Sequence, residues 1–217
     1  MVSNKIQQNK EKFLALLKGV NRPGIDKLID WLENWSDFFS APASTVYHGN
    51  YEGGLCEHSL NVYNLFNEKN TRYDLGLSED SIKIMALLHD ICKANFYETY
   101  SKNVNIDPEN KNRKEFWRKI DAYKVNDQFP MGHGEKSVIM LSCYIRLLKE
   151  EMFGIRWHMG GYENKDNYNA ISAAWNMHKS GACLHTADLE ASNIFEDHID
   201  QVEVAKGQVQ QKMNLGR

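Results

Sequence analysis

Ionisable side chains recur in and beside the apolar helical stretches of this chain, where leucine or isoleucine would ordinarily stand. They are His58, the adjacent pair His89 and Asp90, His133, His158 and Asp188. Burying a charged group without a partner costs roughly several kcal/mol, so a folded chain keeps such residues where something positive binds them. A lone buried histidine is ordinarily a hydrogen-bonded core residue. Several separate segments that each deliver one or two such groups point instead to a metal site assembled from distant parts of the chain.

The rest of the composition is that of an ordinary globular protein. The 217 residues are 42% hydrophobic and 25% charged, and suffice to bury a real core. A net charge of −3 gives no general attraction to nucleic acid or anionic membranes, so a polyanionic substrate must be held locally. No apolar run approaches membrane-spanning length, and the polar N-terminus lacks the apolar core of a signal peptide. Cys56, Cys92, Cys143 and Cys183 are widely spaced, with no Cys-x-x-Cys pair. That spacing predicts a reduced, cytoplasmic protein rather than a disulfide framework or a thiolate zinc site.

Apolar spacing predicts a mostly helical chain. A first helix covers residues 4–19, and a second runs from Ile25 to about Trp35 after the Pro23-Gly24 break. Trp31, Trp35, Phe38 and Phe39 are read as core packing. A glycine-rich loop leads into a third helix over about 55–68, on which His58, Val62 and Leu65 share a face. Ser78 is the natural N-cap of a fourth helix, with Ser81 as the alternative, and that helix is expected to run through Lys93. Between 95 and 131 the helical period lapses, and Phe96–Ile106 and Phe116–Tyr123 read as two strands of a hairpin-like insertion. Its segment 102–124 carries three more basic than acidic residues. Helix resumes after Gly134 with a stripe of Val138, Leu141, Ile145 and Leu148. His158 lies between Gly154 and Gly160-Gly161. Two last helices are expected at about 167–179 and 181–198, the second lining up Leu184, Ala187, Asp188, Ala191 and Phe195. A polar tail or a frayed helix follows from about 201.

Specific motifs carry a resemblance to a known family. Gly53-Gly54-Leu55-Cys56-Glu57-His58-Ser59-Leu60, then Leu87-Leu88-His89-Asp90-Ile91-Cys92-Lys93, and finally Ala187-Asp188 resemble the ordered motifs of the HD-domain superfamily of metal-dependent phosphohydrolases. The resemblance spans about 47–191. It implies an all-α HD-domain helical bundle, here with two N-terminal helices and a small irregular or β-hairpin insertion. The whole of 1–217 then reads as a single HD domain, with 1–40 as an N-terminal extension, 95–131 as an insertion and 201–217 as the tail.

The resemblance also implies the ligands. His58, His89, Asp90 and Asp188 would hold a first metal, and His133 and His158 imply a second, shared through Asp90. Imidazole and carboxylate donors suit Zn, Mn, Fe, Co or Ni, with Mg also possible. Two such cations roughly 3.5–4 Å apart can clamp a phosphoryl group and lower the pKa of a bridging water. Asp90 and Lys93 are the candidate catalytic residues, Lys93 neutralising a phosphate oxygen. A lysine near a helix C-terminus is also favourable with the helix dipole alone. Lys93, His48 and Lys124 are candidate substrate contacts, His48 being equally readable as a turn histidine. His185, one turn before Asp188, is placed to orient it. The expected partner is a small phosphorylated molecule, a nucleotide or short oligonucleotide, with no membrane and no long duplex nucleic acid. Two other readings stay open: a binuclear-iron oxygenase, and a nucleotide-sensing module whose metals are structural.

Overall fold

A computed structural model describes residues 2–207. Helices α1 (Val2–Lys18) and α2 (Ile25–Asn34) form the N-terminal pair. Phe13, Leu14 and Leu17 of α1 and Ile25, Leu28, Ile29 and Leu32 of α2 are buried, the i, i+3, i+4, i+7 spacing that turns one face of each helix inward. The core they enter is completed by α3 (Gly54–Arg72), α4 (Glu79–Leu88), α5 (His133–Ser142), α6 (Lys149–Arg156) and α8 (Ser180–Glu190). Helix α7 (Tyr168–Met177) packs beside α6 and α8. Each fully buried Leu, Ile or Phe contributes about 1.5–3 kcal/mol to holding this assembly.

One polar cluster is built into the core. Arg22, between α1 and α2, pairs with the fully buried Glu151 of α6 at 2.9 Å. Glu151 also accepts from Ser81 Oγ at 2.9 Å and from the Leu148 backbone N–H at 2.7 Å. Its charge is therefore matched by a guanidinium and its other lone pairs are satisfied, as a buried carboxylate requires. At the start of α4, Ser78 Oγ accepts from the Ser81 N–H, a standard N-cap.

The insertion is an antiparallel hairpin of β1 (Tyr97–Asn105) and β2 (Trp117–Val125), registered from Tyr97 opposite Val125 to Asn105 opposite Trp117. Val104 and Ala122 are its buried side chains. A short helix α9 (Gln201–Ala205) lies against both strands, where Gln201 accepts from Lys102 at 2.7 Å. The part of the expected polar tail at 201–205 is thus helical and docked, and 208–217 lies outside the described residues.

Four expectations are corrected. Helix α4 stops at Leu88 rather than Lys93, and a tighter 3-10 turn covers Ile91–Lys93. Ending there lets His89 and Asp90 both face the centre, which a 100° step on a continuing helix would oppose. The stripe from Val138 to Leu148 is not one helix: α5 ends at Ser142, and the Glu151 cap restarts helix at Lys149. The last long helix becomes a π turn at Ala191–Phe195, which leaves Phe195 61% exposed. Trp35 is 70% exposed rather than core, because α2 ends just before it.

Candidate metal centre

Each candidate ligand is delivered by a different local device. The loop before α3 turns so closely that a Cβ on Gly54 would meet the backbone carbonyl of Gly49. Glycine there lets α3 begin directly beneath the loop and places His58 one turn in, fully buried. His89 caps α4 and Asp90 follows it, 0% and 2% exposed. His133 is the first residue of α5. Its neighbour Gly134 packs on the Arg156 backbone at the end of α6, where a Cβ would clash. That approach brings His133 beside His158, which follows α6. Asp188 projects from the last turn of α8.

The side-chain atoms converge in two sets. In the first, His58 Nε2 lies 3.2 Å from His89 Nε2 and 3.2 Å from Asp188 Oδ1. Both imidazole nitrogens lie 3.6 Å from Asp90 Oδ2. In the second, Asp90 Oδ1 lies 2.7 Å from His133 Nε2 and 3.4 Å from His158 Nε2. Ligands bonded to one cation at 2.0–2.2 Å stand about 3.0–3.4 Å from each other, the scale seen in both sets. Asp90 turns one carboxylate oxygen to each.

The outer ring nitrogens fix which lone pair faces inward. His89 Nδ1–H donates to the Ala86 carbonyl at 2.9 Å, and His158 Nδ1–H donates to that of Ile155 at 2.7 Å. Their Nε2 atoms are then unprotonated and point into the cluster. His158 Nε2 is buried without a hydrogen-bond partner. An orphaned imidazole lone pair beside a buried carboxylate is what a cation would satisfy, and the donor set fits divalent cations.

Charge within the cluster follows from these contacts. Burial disfavours the imidazolium of His58, but the carboxylates of Glu196 and Asp188 outweigh it and raise its pKa to about 10. Burial likewise opposes protonation of His133, and Cys92 and Asp90 carry it up to about 10. For His89 burial prevails and lowers the value to about 4. Burial works against ionisation of Asp90, yet Lys93, His89 and His133 hold it well below the usual carboxylate range. Asp188 is lowered too, its own burial being overcome by His58.

A cavity of about 1070 Å³ opens over the cluster, its wall including Tyr47, His48, Lys93, Tyr97, Met159 and Tyr162. Lys93 Nζ sits 2.7 Å from Asp90 Oδ2 at its edge. The structure also brings His48 in, with its ring centroid 5.1 Å from that of His58. Burial lowers the His48 pKa to about 4, and its Nε2 has no hydrogen-bond partner. Lys124 is not brought in. On β2 it stands opposite Glu98 and pairs with it at 2.6 Å, and it does not line the cavity. His185 stacks on Trp175 and donates through Nδ1 to the His158 carbonyl at 2.7 Å, so it steadies His158 rather than Asp188. His198 is exposed and also lines the cavity.

Two further residues touch the candidate ligands. Glu196 accepts from His58 Nδ1 at 3.0 Å, and the Cys92 sulfur lies 3.3 Å from His133 Nδ1. Cys92 could have been suspected from its place beside the His-Asp pair. Glu196, near the end of the last expected helix and off its apolar stripe, gave no signal.

Comparison with curated proteins and with solved structures returns no match. The HD domain family matches residues 55–174, more than half of the chain and a span that holds His58, His89, Asp90, His133 and His158. With its ligand motifs in order and its clustered imidazoles and carboxylates, this chain belongs to the HD domain family.

Proposed function

We propose that the protein is a phosphohydrolase that carries two divalent cations and cleaves a phosphoester of a nucleotide or short oligonucleotide. The observation that carries this reading is the divided carboxylate of Asp90, with one oxygen among His58, His89 and Asp188 and the other between His133 and His158. Bound in the two sets, the cations would supply Lewis acidity toward a phosphoryl oxygen and bring the pKa of a water between them toward neutrality.

The chain's own groups supply the rest. Lys93 stays charged: its burial is outweighed by Asp90 and Tyr97, which raise its pKa. Its ammonium is placed to meet a phosphate oxygen entering beside Asp90. Tyr97, raised to about 12 by burial, remains a neutral phenol on the same wall. His48, neutral at pH 7, lines the same cavity. Aromatic and apolar residues of the cavity, among them Tyr47, Phe96, Met159 and Tyr162, suit a nucleobase. The four cysteines are free thiols, which supports a reducing, cytoplasmic setting. No helix among the described residues is long and apolar enough to cross a membrane.

The test is hydrolysis of nucleoside monophosphates to phosphate, of cyclic nucleotides to monophosphates and of short oligonucleotides to mononucleotides, with chelator-stripped protein reloaded with Mn, Mg, Zn, Ni, Co or Fe. Elemental analysis and oxygen uptake run alongside. Cation-dependent hydrolysis is expected. Oxygen consumption without hydrolysis would replace this reading with an oxygenase, and tight nucleotide binding without turnover would replace it with a sensor.

A further inference from the structure

The imidazoles of the centre differ in what holds their outer nitrogens. Backbone carbonyls hold His89 and His158, and a thiol stands beside His133. A carboxylate alone holds His58: Glu196 presents Oε1 and Oε2 at 3.0 and 3.1 Å from Nδ1. The Glu196 side chain is 1% exposed, and Asn61 Nδ2 fixes its Oε1 at 3.1 Å from the other side. Glu196 lies beyond the family-matched span and reaches His58 across 138 positions of sequence.

The backbone around Glu196 is pinned for this purpose. After the π turn at Ala191–Phe195, the chain runs extended past the loop that precedes α3. There Asn50 makes a reciprocal pair with Ile199: its Nδ2 donates to the Ile199 carbonyl at 3.0 Å, and its Oδ1 accepts from the Ile199 N–H at 2.7 Å. Gly49 N–H donates to the Asp197 carbonyl at 3.0 Å. This strap therefore has little freedom to carry Glu196 away from the imidazole.

We infer that Glu196 is the positioning residue of the first cation, fixing the His58 ring with Nε2 inward and adding negative charge behind it. A carboxylate that accepts the outer N–H of a ligating histidine orients the ring and makes it a stronger donor, and losing one costs 10–100-fold in metal affinity. The consequence is asymmetry. The set of His58, His89, Asp90 and Asp188 holds its cation more tightly than the set of Asp90, His133 and His158, which has fewer ligands and only a thiol behind His133.

This inference rests on the divalent-cation reading of the centre, and the experiment separates the two. Co²⁺ is titrated calorimetrically at pH 8 into chelator-stripped wild type, Glu196→Gln, Glu196→Ala and Asn50→Ala, with circular dichroism and melting of each. The expected result is two ions in wild type. In both Glu196 variants the tighter ion should bind about 10–100-fold more weakly while the weaker ion is unchanged and the helical signal is kept. Asn50→Ala loosens the strap but keeps the carboxylate, and should cost less than Glu196→Gln. Unchanged binding of both ions by Glu196→Gln would overturn the assignment. So would equal losses in Glu196→Gln and Asn50→Ala, since the strap alone would then account for them. A wild type that binds no Co²⁺ would remove the centre itself, and this inference with it.

Discussion

At the residue scale the centre turns on Asp90, because each of its oxygens serves a different set of imidazoles. Asp90→Asn keeps the shape and removes the charge. It should lower metal retention after dialysis and reduce hydrolysis by on the order of 10²-fold or more, with the far-ultraviolet dichroism unchanged. Lys93→Ala should divide the two roles differently, with metal content intact and turnover down about 10²-fold, as read by elemental analysis and steady-state kinetics. Residues in these roles are legible in sequence because an ionisable group inside an apolar stretch is costly unless partnered, which marks His58, His89, Asp90 and Asp188 against their neighbours. Glu196 has no such contrast. It lies next to Asp197 and His198 near the end of the last expected helix, off the apolar stripe, and only long-range folding sets it against His58. Lys124 shows the opposite relation. The basic character of the insertion offers it, and strand pairing sets it opposite Glu98, outside the cavity lining.

At the scale of elements, the second set depends on how closely α5 approaches the end of α6. Gly134 allows that approach, since any side chain there meets the Arg156 backbone. Gly134→Ala should therefore separate the two helices and draw His133 away from His158. The expected cost is about 1–3 kcal/mol of stability, with loss of the weaker cation and retention of the tighter one. Thermal melting and metal stoichiometry check this, and loss of both ions together would show that the helices do not move independently of α3 and α4. The helices themselves were legible from their 3.6-residue period, and the hairpin from the lapse in it. Their ends were less so. The stops at Leu88 and Ser142 leave the apolar pattern unbroken, because Ile91, Cys92, Ile145 and Leu147 remain buried after the helix has ended. What ends α4 and restarts helix at α6 is polar: a 3-10 turn that serves His89 and Asp90, and a cap from the buried Glu151.

Over the whole molecule, the centre makes stability depend on pH in a way that the cations should reverse. Without metal, His58 and His133 keep their protons in the folded state up to about pH 10, whereas in the unfolded chain they lose them near 6.5. Their contribution is complete below pH 6.5 and is lost as pH rises toward 10, with a slope of at most about 1.4 kcal/mol per pH unit for each imidazolium. On the acid side the sign is opposite. His48 and His89, lowered to about 4 by burial, stay neutral in the folded state while the unfolded chain takes up protons, so stability falls from pH 6.5 toward 4. The lowered carboxylates Asp90, Asp188 and Glu196 add to that loss as pH drops through the unfolded carboxylate range. Stripped protein should thus be most stable near pH 6.5 and lose stability between 6.5 and 8.5. Cations at saturation replace the protons on His58 and His133, and this removes the difference in bound protons between folded and unfolded states in that window. The melting temperature of loaded protein should then stay nearly level from pH 6.5 to 8.5 while that of stripped protein declines. Parallel slopes with and without metal would mean that the imidazoles do not exchange protons for cations, and the six side chains would then form a hydrogen-bonded core cluster rather than a metal centre.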